Sequence, residues 1–299
     1  MVDVSKCFDA VLPLVKSAGE IVLEGFDSIK HYQTKATSWD LVTEYDKRVE
    51  ITLISQIQKH FPTHKFIGEE TSNDEVLTND PTWIIDPIDG TLNYVHRFPH
   101  SCISVAFAVD KELVIGIVYN PMMDQLFTAQ KGKGAFLNGK PISTTKTKEL
   151  SQSLIALEIS LAKGPEQDIE LFKRTEACIK AARGVRSIGS AELTLCYVAM
   201  GALDAYTVDF LYCWDVAAGV CIIREAGGVA YETSGKKFDV MTRRVLTAAT
   251  EEIAQELIAL IKKSDANCNA DNIRALANGK PIGNKTNGTH QNGTQTVQV

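Results

Sequence analysis

Trp83-Ile84-Ile85-Asp86-Pro87-Ile88-Asp89-Gly90-Thr91 carries an apolar run straight into two carboxylates at a turn that holds Pro and Gly. An apolar run of this length reads as a buried strand, and Pro and Gly end it. Two acids at the tip of a buried strand are costly unless something positive meets them. For oxygen ligands the matching partner is a hard divalent cation such as Mg²⁺, and Mg²⁺ between carboxylates commonly serves a phosphate.

Three further acidic positions extend the pattern. Phe66-Ile67-Gly68-Glu69-Glu70 is a second strand tip ending in acid. Read alone it is a solvated loop, but sequential elements tend to pack together, which brings it towards Asp86. Trp214-Asp215-Val216-Ala217-Ala218-Gly219 sets Asp215 in front of an apolar helix. Asp215 reads as that helix's N-cap, and one oxygen can cap while the other binds metal. Leu41-Val42-Thr43-Glu44-Tyr45-Asp46 opens another helix, where Asp46 complements the helix dipole and forms a capping pair with Thr43.

Around these tips the apolar spacing predicts helices over 4–26 (interrupted by Pro13), 43–59, 168–182, 190–200, 215–226 and 251–262. It predicts strands at 65–68, 82–86, 104–109, 114–119, 125–129, 154–158, 204–208 and 245–249, the middle ones forming a meander. Residues 140–153 read as a connection between an N-terminal half, 1–145, with most of the acids, and a C-terminal half, 146–265, that completes the site. Residues 266–299 turn to Asn, Gly, Thr and Gln and read as a disordered tail.

The 299 residues are 44% hydrophobic and 23% charged, as in ordinary globular proteins. A net charge of −6 and the lack of a basic stripe argue against a nucleic-acid partner. No apolar run is long enough to span a membrane, and the first residues do not read as a signal peptide. Seven cysteines without a C-x-x-C pair, mostly in apolar stretches, read as buried thiols of a reducing compartment, so a cytoplasmic location is expected. His96 and His100 have no Ser or Cys nucleophile pattern beside them and are not read as catalysts.

Together, Gly68-Glu69-Glu70, Asp86-Pro87-Ile88-Asp89-Gly90-Thr91-Leu92-Asn93-Tyr94 and Trp214-Asp215-Val216-Ala217-Ala218-Gly219 resemble the inositol monophosphatase family of Mg²⁺-dependent, lithium-sensitive phosphatases. The resemblance covers about residues 5–260. It implies an α/β (α+β) sugar-phosphatase fold layered αβαβα, and a homodimer. It also implies two or three Mg²⁺ ions: Glu69, Asp86 and the Ile88 carbonyl on one, Asp86, Asp89 and Asp215 on a second, and a weaker third near Glu69. Thr91 and Asp46 would be the catalytic pair that activates water, with Glu69 acting through the third ion. Gly90 and Thr91 would face the phosphate, and Gly189, Ser190 and Ala191 the inositol. Ser190 reads equally as a plain N-cap.

One position departs from the family pattern. Val208 stands where the family has a Glu that binds a ring hydroxyl, and Asp209, one residue on, substitutes only if the loop shifts. The expected function is hydrolysis of inositol monophosphates to inositol and phosphate. The alternatives are a phosphatase of another small sugar phosphate, or a catalytically weak interaction protein on the same scaffold.

Overall fold

The computed structural model describes residues 2–28, 30–35, 40–72, 76–159, 168–277 and 295–297. Helix α1 (Val4–Phe26) buries Val11, Val15, Ala18 and Val22 along one stripe. It runs through Pro13, which is exposed, so the missing backbone donor falls on the water side. Strands β1 (Lys30–Thr34) and β2 (Leu41–Thr43) pair antiparallel and lead into α2 (Glu44–His60). The expected capping box is present: Thr43 N–H donates to Asp46 Oδ2 at 2.8 Å and Tyr45 N–H to Thr43 Oγ1 at 3.2 Å.

The first large sheet runs in chain order. Strands β3 (Lys65–Gly68) and β4 (Thr82–Asp89) are parallel. After the short helix α3 (Thr91–Val95), strands β5 (Cys102–Val109), β6 (Glu112–Asn120), β7 (Gln125–Gln130), β8 (Ala135–Leu137) and β9 (Lys140–Ile142) form the expected antiparallel meander. The second half continues with β10 (Leu154–Leu157), α4 (Asp168–Ala181), β11 (Gly184–Arg186), α5 (Ala191–Ala199), β12 (Ala205–Asp209), α6 (Ala217–Glu225), β13 (Val229–Tyr231), β14 (Arg244–Ala248) and α7 (Glu251–Ala277). Its five strands order as β11-β10-β12-β14-β13, parallel on both sides of β10 and antiparallel at β14.

Three apolar clusters stack these elements into layers. Val11, Val15, Leu53 and Ile57 of α1 and α2 pack on Trp83, Ile85 and Phe107 of the seven-stranded sheet. Ile84 and Ala106 on its other face meet Leu195 of α5, Ile222 of α6, and Tyr206 and Val208 of the five-stranded sheet. Cys178 of α4 and Leu257 of α7 cover the outer face of that sheet at Ile155 and Leu246. The order is the αβαβα layering that the motifs implied. All seven cysteines are buried thiols, and no helix among the described residues is long and apolar enough to cross a membrane.

Some boundaries differ from expectation. Helix α6 begins at Ala217, with Val216 as its N-cap and no side-chain cap bond. Asp215 is therefore not the cap; its Oδ2 instead accepts the Tyr212 N–H at 2.6 Å. Helix α7 continues past Lys262 to Ala277, so part of the expected disordered tail is helical. A further stretch, β15 (Gln295–Val297), pairs antiparallel with β1. The rest of the tail lies outside the described residues.

Candidate active site

The decisive local feature is an irregularity in β4. In a regular strand, residues three apart face opposite sides, so Asp86 and Asp89 would point apart. Against β5, however, Asp86 pairs with Ser104 and Asp89 with Cys102, and the register shifts between them. One extra residue on β4 makes a bulge. Pro87, which has no N–H to give a ladder, sits within it. The bulge turns both aspartates to the inter-sheet side, while Ile85 and Ile88 share the α1/α2 side. The Ile88 N–H then donates to Asp86 Oδ1 at 3.0 Å.

Asp215 arrives from the second half. One oxygen each of Asp86, Asp89 and Asp215 lies within 4.8 Å of the others. Glu69 follows β3 and is carried alongside, its N–H donating to Ile85 O at 3.2 Å. Burial pushes the Asp86 carboxyl well above the ordinary range, and Glu69, Asp89 and Asp215 push it further. Desolvation, then Glu69 and Asp89, do the same to Asp215. Burial raises Asp89 too, against the pull of Ser190 and the Ala191 and Glu192 N–H groups. Glu69 is raised by burial although Lys35 Nζ, 2.7 Å from Oε1, opposes it. Such a set of crowded oxygen donors, without a cation of its own at the three aspartates among the described ion pairs, suits a hard divalent metal ion.

Thr91 and Asp46 meet from opposite elements. Thr91 Oγ1 lies 3.3 Å from Asp46 Oδ1 and 3.0 Å from Ile88 O. The hydroxyl therefore does not cap α3; Gly90 is the N-cap, without a side-chain bond. Asp46 is fully buried, and desolvation pushes its carboxyl up to about 7. Gly90 has φ 82°, and a Cβ there would stand 2.9 Å from Gly189 O and 3.0 Å from His100 O. Only glycine fits such a left-handed, crowded turn.

A cleft joins these groups. Its N-terminal wall includes Glu69, Asp89, Gly90, Thr91, Leu92 and Asn93; its C-terminal wall includes Glu158, Gly189, Ala191, Leu211 and Asp215. Two residues expected at the substrate carry other bonds. The Ser190 hydroxyl donates to Asp89 Oδ2 and accepts the Leu193 N–H at 3.4 Å, so it is spent on holding Asp89 and capping α5. Asp209 accepts from Arg174 at 2.8 Å and Thr233 at 2.7 Å, beside a second cavity that shares Glu158 with the cleft. A buried carboxylate needs such partners. Lys35 and Glu158 escaped the sequence reading. Glu158 follows the apolar strand Leu154–Leu157 just as Glu69 follows Lys65–Gly68, and that signal would have found it. Lys35 carries no comparable pattern.

A sequence profile described as the inositol monophosphatase family matches residues 3–266. The chain is 44% identical over 253 residues to inositol monophosphatase 2 of Rattus norvegicus, covering 83% of this chain and 87% of that protein. It is 40% identical over 257 residues to inositol monophosphatase 1 of Homo sapiens, covering 84% and 92%. Its fold is similar to the solved IMPase of Thermotoga maritima, with TM-score 0.79, 28% identity and coverage of 87% and 98%.

Proposed function

The chain belongs to the inositol monophosphatase family, and from that premise we propose that it is a Mg²⁺-dependent phosphatase that hydrolyses inositol monophosphates to inositol and phosphate. The observation that carries this reading is the meeting of Asp86 and Asp89 with Asp215, distant in the chain, within 4.8 Å. Glu69, Asp86, Asp89, Asp215 and the Ile88 carbonyl would hold two or three Mg²⁺ ions. When bound, these would neutralise phosphoryl charge, lower the pKa of water and stabilise the leaving alkoxide.

The protein's own residues do the rest. Asp46 accepts the Thr91 hydroxyl, which leaves the Thr91 oxygen oriented to take a hydrogen bond from the attacking water. Attack in line with the leaving alcohol needs no covalent enzyme intermediate. The backbone of Gly90 and Thr91, on the cleft wall, offers N–H groups to phosphate oxygens. On the opposite wall, Gly189 and Ala191 border the alcohol. Glu158 holds the Gly189 N–H at 3.1 Å and also lines the cleft, which makes its carboxylate a candidate partner for substrate hydroxyls.

A phosphatase of another small sugar phosphate is the second reading. It is favoured by Val208, which is buried in the core, and by the commitment of Asp209 to Arg174. Both leave β12 without an acid for the polyol. The exposed Phe172 and Ile179, seven apart on α4, support a homodimer contact, and the buried thiols support a cytoplasmic setting. Sedimentation would report the dimer as twice the chain mass.

The test is phosphate release from a panel of inositol, sugar and nucleoside monophosphates, with and without Mg²⁺ and with Li⁺. Release that needs Mg²⁺, falls with Li⁺ and favours inositol monophosphates is expected. No release from any member at saturating Mg²⁺ would leave only a non-catalytic scaffold.

A further inference from the structure

Glu192 is a fully buried carboxylate whose partners are uncharged donors. It stands in the first turn of α5 yet does not cap its own helix. Its Oε1 accepts Ser104 Oγ at 3.0 Å and the Ala218 N–H at 3.2 Å, and its Oε2 accepts the Gly219 N–H at 2.6 Å. Its backbone N–H donates to Asp89 Oδ2 at 2.9 Å.

Each partner leads directly to one of the clustered acids. Ser104 is the register partner of Asp86 across β4 and β5. Ala218 and Gly219 form the first turn of α6, just after Asp215. Asp89 is bound by Glu192 itself. Because α6 has no cap of its own at Val216, Glu192 supplies one from another helix. The approach is close: a Cβ on Gly219 would lie 2.7 Å from Glu192 Oε2 and 2.5 Å from Leu195 Cβ. A carboxylate buried this deeply is a poor choice for stability alone, since a well-packed apolar side chain often serves as well or better.

We propose that Glu192 is a positioning residue of the metal site: by clamping β5 and the start of α6 to the start of α5, it sets the spacing of Asp86, Asp89 and Asp215 and so the affinity for the divalent cation. The inference rests on the reading of those three aspartates as metal ligands. Glu192 touches neither cation nor substrate in this role.

The test uses the full chain. Glu192→Gln keeps the volume but sets an amide N–H against the backbone donors of α6. Two quantities are read: half-saturating Mg²⁺ in the phosphate-release assay, and Mg²⁺ affinity by isothermal titration calorimetry. Both should weaken by about 10-fold or more, as for other residues that support metal ligands. Substrate KM at saturating Mg²⁺ should stay within about 2-fold and high Mg²⁺ should restore kcat, because ligand spacing rather than the substrate cleft is altered. Ser104→Ala should move both Mg²⁺ values in the same direction, by less. A lower Tm with both Mg²⁺ values unmoved would make Glu192 merely structural and overturn the proposal. If Glu192→Gln does not fold, Ser104→Ala decides by the same titration. A wild-type chain that neither binds nor needs Mg²⁺ would instead remove the metal reading beneath it.

Discussion

Asp89 shows how many demands one side chain meets. It belongs to the acidic cluster and accepts the Ser190 hydroxyl and the Ala191 and Glu192 N–H groups, the last two at 3.2 and 2.9 Å. Asp89→Asn removes the charge with little change in volume. Phosphate release should fall below detection while circular dichroism stays native; near-normal release would remove Asp89 from the metal set. Thr91→Val deletes only the hydroxyl that faces Asp46, and kcat should drop by about 10²–10⁴-fold, the range of one general-base contact, with KM little changed. Glu158→Gln tests the polyol contact: a KM rise for inositol monophosphates, with a smaller rise for a simple phosphate ester, is expected from steady-state kinetics. Glu69, Asp86, Asp89 and Asp215 were legible in the sequence because each breaks a strong apolar pattern. Glu192 was not, because an acid in the first turn of a helix already has an ordinary electrostatic explanation.

At the scale of elements, the site depends on two departures from regularity. The β4 bulge puts Asp86 and Asp89 on one side. The close packing of α6 on α5 aims Asp215, and it depends on Gly219. Gly219→Ala would drive a methyl into Leu195 and Glu192. Overpacking of this kind costs about 1–3 kcal/mol, so urea unfolding should show that loss, together with reduced Mg²⁺ affinity. The strand over 82–86 and the helix at 44 were readable from period and capping. The start of α6 was misread because an Asp before an apolar helix looks like its cap, whereas the real cap comes from Glu192. The partner of Asp209 was not legible for a related reason: Arg174, on α4, is brought to it only by folding.

For the whole molecule, the buried carboxyls tie stability to pH. A carboxyl whose folded pKa is raised keeps its proton while the unfolded chain loses its own. Stability is then full at low pH and falls as pH rises between the two values. For Asp46 that window runs from 3.8 to about 7, and Asp86 and Asp215 are raised by the same causes. The metal-free protein should therefore lose Tm on going from about pH 4 to about pH 8, a span that crosses that window. Saturating Mg²⁺ should raise Tm more at the higher pH, because binding relieves the repulsion. Scanning fluorimetry with chelator and with Mg²⁺ checks both; an equal Mg²⁺ shift at the two pH values would contradict the linkage.

By itself the sequence determined which acids stand at the tips of buried elements and the order of helices and strands, because apolar period, caps and acid-tipped strands are local properties. It also carried the family likeness, since the three motifs are contiguous in the chain. Only the tertiary structure decided that Asp86 and Asp89 face the same way, that Asp215 reaches them, and that Arg174 claims Asp209. Each of these depends on the side chain's partner, and such partners lie far away in the chain or across a bulge that no strand period encodes.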